Sequence, residues 1–493
     1  MSGQIKQKPN IIFIMSDDHA SHAMSCYGSF INKTPQLDRI ANEGMRFDNC
    51  FCTNSICTPS RAAILSGTYN HVNGVTTLAT HMDNRLETFP KILKRNGYQT
   101  AVFGKWHLGK GPEHSPSGFD DWAVLNGQGN YHNPEFFFKG PEGGTAKTVK
   151  GYATDIITDM SIDWLEKRDE NQPFCLLCHH KAPHRPWYPD EKHAGMYLNE
   201  DIPEPETLYD DYSNRAKAAE AALMRVGVNM IERDLKSEMP KGLTENELRS
   251  WAYQRYIKDY LRVIASIDDN VGRLLDYLDN KGLTENTMII YTSDQGFFLG
   301  DHGWYDKRFM YEQSLRMPFI VRYPELIKAG TVNEDIVTNI DFAPTFLDLA
   351  GLESPKEFQG FSIKPLLEGA TPENWQKAMY YRYWMNRAHH NVAAHYGIRT
   401  KKHKLIYYYS DGLDQPGTAD ELCCNMPENF IDVNSLEPEW ELFDLEKDPM
   451  EMHNVYNDPT YKQVVDELKD QLAELQKKIG DKPYEDSQSV TKR

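Results

Sequence analysis

The sequence predicts an α/β protein. Its main body should be a large mixed, mostly parallel sheet sandwiched by helices, followed by a smaller α+β subdomain with a short antiparallel sheet. Three observations point there: four short apolar runs end abruptly in polar residues, helical patterns separate them, and beyond about residue 370 the chain changes to short aromatic strands parted by turns.

The first run, NIIFIM (10–15), opens into Ser16, Asp17, Asp18 and His19. TPQLDRIANEG then places Leu37, Ile40 and Ala41 on one helical face, with Gly44 as its stop. SICTPSRAAILSG (55–67) reads as a helix with Pro59 in its first turn, where a missing N–H costs nothing. YQTAVF (98–103) leads into Gly104, Lys105, Trp106 and His107; PFCLLC (173–178) leads into His179, His180, Lys181, Pro183 and His184. TMIIYT (287–292) leads into Ser293, Asp294, Gln295 and Gly296. Continuous rather than alternating hydrophobicity marks strands covered on both faces. Before the last of them, YQRYIKDYLRVIASIDDNVGRLLDYLDNKG carries Ile257, Tyr260, Leu261, Ile264, Ile267, Val271, Leu274 and Leu278 on one face and stops at Gly282. The charged stretch 197–250 fits either a surface excursion or a substrate wall.

In the C-terminal part, MYYRYW, HYGIRT, KLIYYY and WELFDL predict a small antiparallel sheet. A final helix should begin near Asp458 and Pro459, bury Val464, Val465, Leu468, Leu472, Leu475 and Ile479, and end at Gly480. The expected boundaries are 1–370 for the main domain and 371–493 for the smaller one, with the tail DSQSVTKR loose.

Composition excludes several classes. With 493 residues and 40% hydrophobic content the chain can bury a large core. It has no apolar run long enough to cross a bilayer, and its first residues lack a secretory signal, so it is either cytosolic or has lost a leader. Its net charge of −18 argues against broad association with nucleic acid or anionic membranes. An anionic substrate would need a locally positive pocket. Eight cysteines at 26, 50, 52, 57, 175, 178, 423 and 424 make no disulfide framework, and Cys175 and Cys178 read as strand core.

Ligands of parallel sheets sit beyond the carboxyl ends of the strands, so the four polar clusters should converge on one edge. Asp17, Asp18, Asp294 and Gln295 then supply hard oxygen donors suited to calcium or magnesium. Single aspartates usually cap helices or loops, but carboxylates crowded together call for a cation. Cys57 stands where helix amides favour an anion, with Arg61 one turn on. It is either a buried small hydrophobe or a nucleophile. Lys105, His107, His184 and Lys307 add point charges for a tetrahedral anion and groups that carry protons.

Five motifs in order, NIIFIMSDDH, CTPSRAAILSG, TAVFGKWHLG, KAPHRPW and TSDQGFFLGDHGWYDKR, resemble the type I sulfatases of the alkaline phosphatase superfamily. WELFDLEKDPMEMHNV resembles their C-terminal subdomain, and HVNGVTTL and GQGNYHNPEFF are closer to glycan sulfatases, such as N-acetylglucosamine-6-sulfatases and uronate sulfatases, than to arylsulfatases. The resemblance implies an alkaline phosphatase-like fold and hydrolysis of a sulfate monoester. It implies that a formylglycine-generating enzyme oxidises Cys57 to formylglycine, whose hydrate attacks sulfur. A divalent cation, calcium before magnesium, would be held by Asp17, Asp18, Asp294 and Gln295, with residue 57 facing it. Lys105 and Lys307 would bind sulfate oxygens and Arg61 would stabilise the modified residue. His184 would contact the sulfate or protonate the departing oxygen, and His107 would take the proton that lets sulfate leave. The family often has Asn or His where Gln295 stands, and Arg where this chain has Ala20.

For the substrate, a sulfated mono- or oligosaccharide, His132, Trp304, Arg387, His389, His390 and His395 are candidates to line the mouth. The lack of a long basic stripe apart from RTKKHK (399–404) favours an end-acting enzyme. The competing readings are a phosphate or phosphonate ester hydrolase of the same superfamily, an unconverted glycan-binding protein, and a cysteine-nucleophile hydrolase that leaves the acidic cluster without a purpose.

Overall fold

The structure is a computed structural model that describes residues 8–485, so the expectation for the tail 486–493 lies outside the described residues. A ten-stranded sheet forms the centre. Its strands in chain order are β1 (Asn10–Ser16), β2 (Met45–Phe47), β3 (Gln99–Gly104), β4 (Asp121–Leu125), β5 (Glu135–Phe138), β6 (Thr145–Thr148), β7 (Phe174–His179), β8 (Thr287–Ser293), β9 (Phe319–Arg322) and β10 (Thr331–Asn333). Across the sheet they run β10, β2, β9, β8, β1, β7, β3, β4, β5, β6. The five central strands β8, β1, β7, β3 and β4 are parallel, while β9 and β5 pair with their inner neighbours antiparallel.

The unbroken apolar runs are explained by cover on both faces. Every residue of β1 is buried. Ile11, Phe13 and Met15 pack into one core with Phe89, Leu93, Phe342 and Phe346, whereas Ile12 and Ile14 enter the opposite core with Leu37, Ile157, Ile264 and Ile267. Each such side chain, fully buried, contributes about 1.5–3 kcal/mol. The helices carrying these partners are α1 (Pro35–Asn42), α3 (Phe89–Arg95), α4 (Ala153–Lys167), α5 (Glu245–Asn280) and α6 (Phe342–Leu349). Helix α2 (Cys57–Ser66) is buried along its whole length and ends at Gly67 in the left-handed region.

Helix α5 starts earlier than its apolar periodicity indicates. Thr244 caps it: its hydroxyl accepts from Glu247 N at 3.3 Å while the Glu247 carboxylate accepts from Thr244 N at 2.8 Å, a reciprocal box inside the charged stretch. That stretch is not a surface excursion. Asp234 is fully buried against Arg185, Leu223 N donates to His390 O at 2.8 Å, and Val226 N donates to Gly303 O at 2.8 Å.

A second sheet, β11 (Ala378–Tyr383), β12 (His395–Thr400), β13 (His403–Tyr408) and β14 (Glu439–Asp444), is antiparallel throughout. Helix α7 (Lys462–Ile479) lays Val465, Leu468 and Leu472 on Tyr380, Ile398, Leu405 and Leu442, and Gly480 at φ 78° closes it. The sheet is keyed to the main body by the Tyr381 hydroxyl, which accepts from Ser55 N at 3.0 Å and donates to Arg308 O at 2.5 Å. All eight cysteines are free thiols, and Cys175 and Cys178 are buried in β7.

Candidate active site

The parallel register assembles the site. Ser16 of β1 pairs with Ser293 of β8, so Asp17 and Asp18 leave one strand beside Asp294 and Gln295 leaving the other. On the far side of β1, β7 runs beside β3, which delivers Lys105. Gly104 makes that delivery possible: at φ 108°, a Cβ there would lie 1.9 Å from His179 O. Asp18 (φ 70°) and His107 (φ 57°) also adopt left-handed backbone, sparsely populated for residues other than glycine. The Asp18 loop is braced by the Tyr260 hydroxyl of α5, which donates to Asp18 O at 2.8 Å and accepts from Ala20 N at 2.9 Å.

Cys57 is the first residue of α2 and points into this cluster. Its Sγ is 3.4 Å from Asp17 Oδ1 and 3.6 Å from Gln295 Nε2. Donor atoms of Asp17, Asp18 and Asp294 lie within 4.8 Å of one another, as do those of Asp17, Cys57 and His184. Arg61 seals the back: Nε and Nη2 each reach Asp294 Oδ2 at 2.9 Å, and Nη1 donates to Lys105 O at 2.7 Å. Lys105 Nζ donates to Asp17 and to Gln128, and Lys307 Nζ lies 2.7 Å from Asp18 Oδ2. His184 Nε2 is 3.7 Å from Asp18 Oδ2, its Nδ1 engaged with Arg185 O at 2.7 Å. His107 is held by Thr58, the hydroxyl donating to its carbonyl at 2.9 Å and lying 3.3 Å from Nδ1.

The charges are unequal. Burial opposes ionisation of Asp17, but Lys105, His184, Arg61 and Lys307 outweigh it and hold the carboxyl well below its usual range. Burial, then the neighbouring Asp17, pushes Asp294 up to about 7; Asp18 is raised by burial and by Asp17 and Asp306 despite Lys307. Burial also lifts the Cys57 thiol to about 12, so it is a poor nucleophile as a thiol. Burial, then Lys105, keeps His107 neutral, and burial does the same for His184.

This donor set fits a divalent cation. Three buried carboxylates face one another, two of them pushed towards protonation, and Gln295 Oε1 is buried with no hydrogen-bond partner. A hard cation answers all of these at once. Next to the cluster opens a cavity of about 430 Å³, whose walls include Cys57, Gln128, Lys181, His184, Lys307 and His390.

The model of the family described as Sulfatase matches residues 9–352, which span the whole cluster. The chain belongs to the sulfatase family. It is thus a sulfuric ester hydrolase with the alkaline phosphatase-like fold. A second model, described as N-sulphoglucosamine sulphohydrolase, C-terminal, matches residues 300–415 and 429–478. Among known proteins, this sulfatase is 45% identical to the N-acetylglucosamine-6-O-sulfatase of Bacteroides thetaiotaomicron, across 98% of this chain and 89% of the relative. It is 29% identical to the human N-acetylglucosamine-6-sulfatase, across 76% and 67%. It superposes with a TM-score of 0.84, at 44% identity and over 96% of this chain and 98% of the other, on a structure solved in complex with its substrate D-glucosamine-2-N,6-O-disulfate.

The six residues expected at the mouth of this sulfatase divide. His389 and His390 do line the cavity. Trp304 does not: it is fully buried, stacked at 4.8 Å on Phe309 and 5.3 Å on Tyr212. His395 is likewise core, its Nε2 accepting from Met310 N and its Nδ1 bonded to Ala393 O. Arg387 pairs with Asp432 at 2.9 Å, and His132 sits exposed with Nε2 on Pro189 O; neither is part of the cavity wall. Sequence reasoning passed over Gln128, Asn130, Lys181, Arg185, Arg233 and Arg308, all of which line it. Most lie inside motifs that had been singled out, GQGN, KAPHR and YDKR.

Proposed function

We propose that this sulfatase removes the 6-O-sulfate from glucosamine residues, N-acetylated or N-sulfated, at the end of short sulfated saccharides. The observation that carries the reading is the near full-length similarity to an N-acetylglucosamine-6-O-sulfatase, supported by the likeness to a structure whose bound substrate is a 6-O-sulfated glucosamine. A cavity of about 430 Å³ accommodates one sugar and its substituents, which suits a terminal residue.

Asp17, Asp18, Asp294 and Gln295 would hold calcium, with magnesium the second choice, and the ion would supply positive charge to a sulfate oxygen and to the nucleophile. Formylglycine, made from Cys57 by a separate generating enzyme, would supply a hydrated aldehyde with one hydroxyl to attack sulfur and another through which sulfate is released. Lys105 and Lys307 bind the sulfate oxygens and offset charge that grows there in the transition state. Arg61 orients Asp294 and the start of α2. His184, with its Nδ1–H donated to Arg185 O, presents an unprotonated Nε2 to the ester; the sulfate anion arriving beside it favours the imidazolium, whose Nε2 proton then passes to the departing sugar oxygen. His107 is neutral and takes a proton at residue 57, the state a general base requires.

The test is a panel of defined substrates: glucosamine 6-sulfates with N-acetyl or N-sulfate, a glucosamine 3-sulfate, a galactosamine 4-sulfate, a uronate 2-sulfate and the matching 6-phosphate. Sulfate should be released fastest from the 6-sulfated glucosamines. A higher kcat/KM on any other member, or on the interior of long chains, would overturn the assignment.

A further inference from the structure

The lysines around the cavity are not alike. Lys105 and Lys307 each carry their charge against a carboxylate, Asp17 and Asp18 respectively. Lys181 does not. It follows the end of β7, is only 2% exposed, and lines the same cavity as Cys57, His184 and Lys307. Among the described residues no carboxylate is within ion-pair distance of its ammonium. Its close neighbour is the face of Tyr131, whose ring centre is 4.8 Å from Nζ. Tyr131 is itself fixed, its hydroxyl donating to His184 O at 2.7 Å, so Lys181, Tyr131 and His184 form one rigid wall beside residue 57.

A cation taken out of water without a counterion is unfavourable, and the aromatic face offsets only part of that. Such a group persists where something else requires it. Burial, then Lys105, pulls the Lys181 ammonium down to about 7 against the pull of Asp17 and Asp18, so an anion bound beside it would favour its charged form. The cavity it faces is where the substrate's sulfate must enter to meet Cys57.

We propose that Lys181 is a third ammonium for the sulfate group, one whose counterion arrives with the substrate and leaves with the product. Lys105 and Lys307 lie against Asp17 and Asp18, carboxylates they share with the proposed cation, whereas Lys181 adds positive charge that no carboxylate faces. In a chain of net charge −18 it makes the pocket locally attractive to a sulfate ester.

Inorganic sulfate tests this without reference to the sugar, so its failure is separable from failure of the glucosamine assignment. Binding to the full chain is measured by titration calorimetry, and thermal midpoints are measured in parallel, for wild type, Lys181→Met and Lys181→Gln. Both variants should weaken sulfate binding at least about tenfold, the loss of one charge-assisted contact shielded from water. Their thermal midpoints should hold or rise, since an unpaired buried charge has been removed. Unchanged sulfate affinity in the variants, absence of sulfate binding by the wild type, or a fall of both midpoints alongside affinity would each overturn the proposal. The last result would make Lys181 a structural residue.

Discussion

Binding of the proposed calcium ion to the carboxylate cluster should weaken steeply below neutral pH. Protons compete with a cation for any carboxylate that is protonated in the metal-free protein. Asp294, pushed up to about 7 by burial and by Asp17, must lose its proton to bind, so affinity should fall about tenfold for each pH unit below about 7. Between pH 7, where Asp294 is already half protonated, and pH 5 that is about fiftyfold, or about 2.3 kcal/mol, and Asp18, also raised, steepens it. Asp17 is held low and adds no slope in this window; His107 and His184 are kept neutral and add none. In chelator the same raised carboxyl acts on folding with the opposite sense. Its contribution is full below about pH 4 and is lost as pH rises through about 7, so calcium should rescue most where the chelated protein is weakest. Calorimetric titration at pH 5, 6, 7 and 8 reads the slope directly. An affinity that is flat from pH 5 to pH 7 would refute the reasoning.

Three further outcomes are expected. Arg61→Ala removes a buried guanidinium that hydrogen-bonds Asp294 through Nε and Lys105 O through Nη1 and pairs with Asp294 through Nη2, and should cost about 3–5 kcal/mol in urea unfolding. His107→Ala should lower kcat by about 10²- to 10⁴-fold with KM within about threefold, read by steady-state release of sulfate from N-acetylglucosamine 6-sulfate. Trp304→Ala, in contrast, should lose about 3–5 kcal/mol of stability as a core truncation while the surviving enzyme keeps its KM. A large KM effect there would restore Trp304 to the mouth of the pocket.

What could be read in advance follows from how local each signal is. The run NIIFIM and its three counterparts are self-contained, and β1, β3, β7 and β8 lie within a residue or two of where the apolar residues stop. Parallel pairing then forces the polar residues after each run to one edge, which is why Asp17, Asp18, Asp294, Lys105 and His184 meet although 277 positions separate Asp18 from Gln295. The mouth was less legible because an aromatic or histidine side chain suits a sugar platform and a protein core equally well. Both are buried, and only their folded neighbours distinguish His390, which lines the cavity, from His395, which is sandwiched between Phe309, Tyr381 and Tyr408. Lys181 was hidden for the converse reason: a lysine after a strand is ordinarily solvated, and its lack of a carboxylate partner is a property of the folded neighbourhood. The start of α5 was present as TENE, a capping box, but lay in a stretch whose charge masked its long-range contacts with Trp304 and His390.

The central claim is that residue 57, set among Asp17, Asp18 and Asp294, works as an aldehyde and not as a thiol. The mass of the tryptic peptide 47–61, taken from a preparation that releases sulfate from N-acetylglucosamine 6-sulfate, tests it most directly. The thiol of residue 57 should be missing and an aldehyde trappable by hydroxylamine present, in a fraction that tracks specific activity across preparations. A fully active preparation in which residue 57 is still an alkylatable cysteine would contradict it.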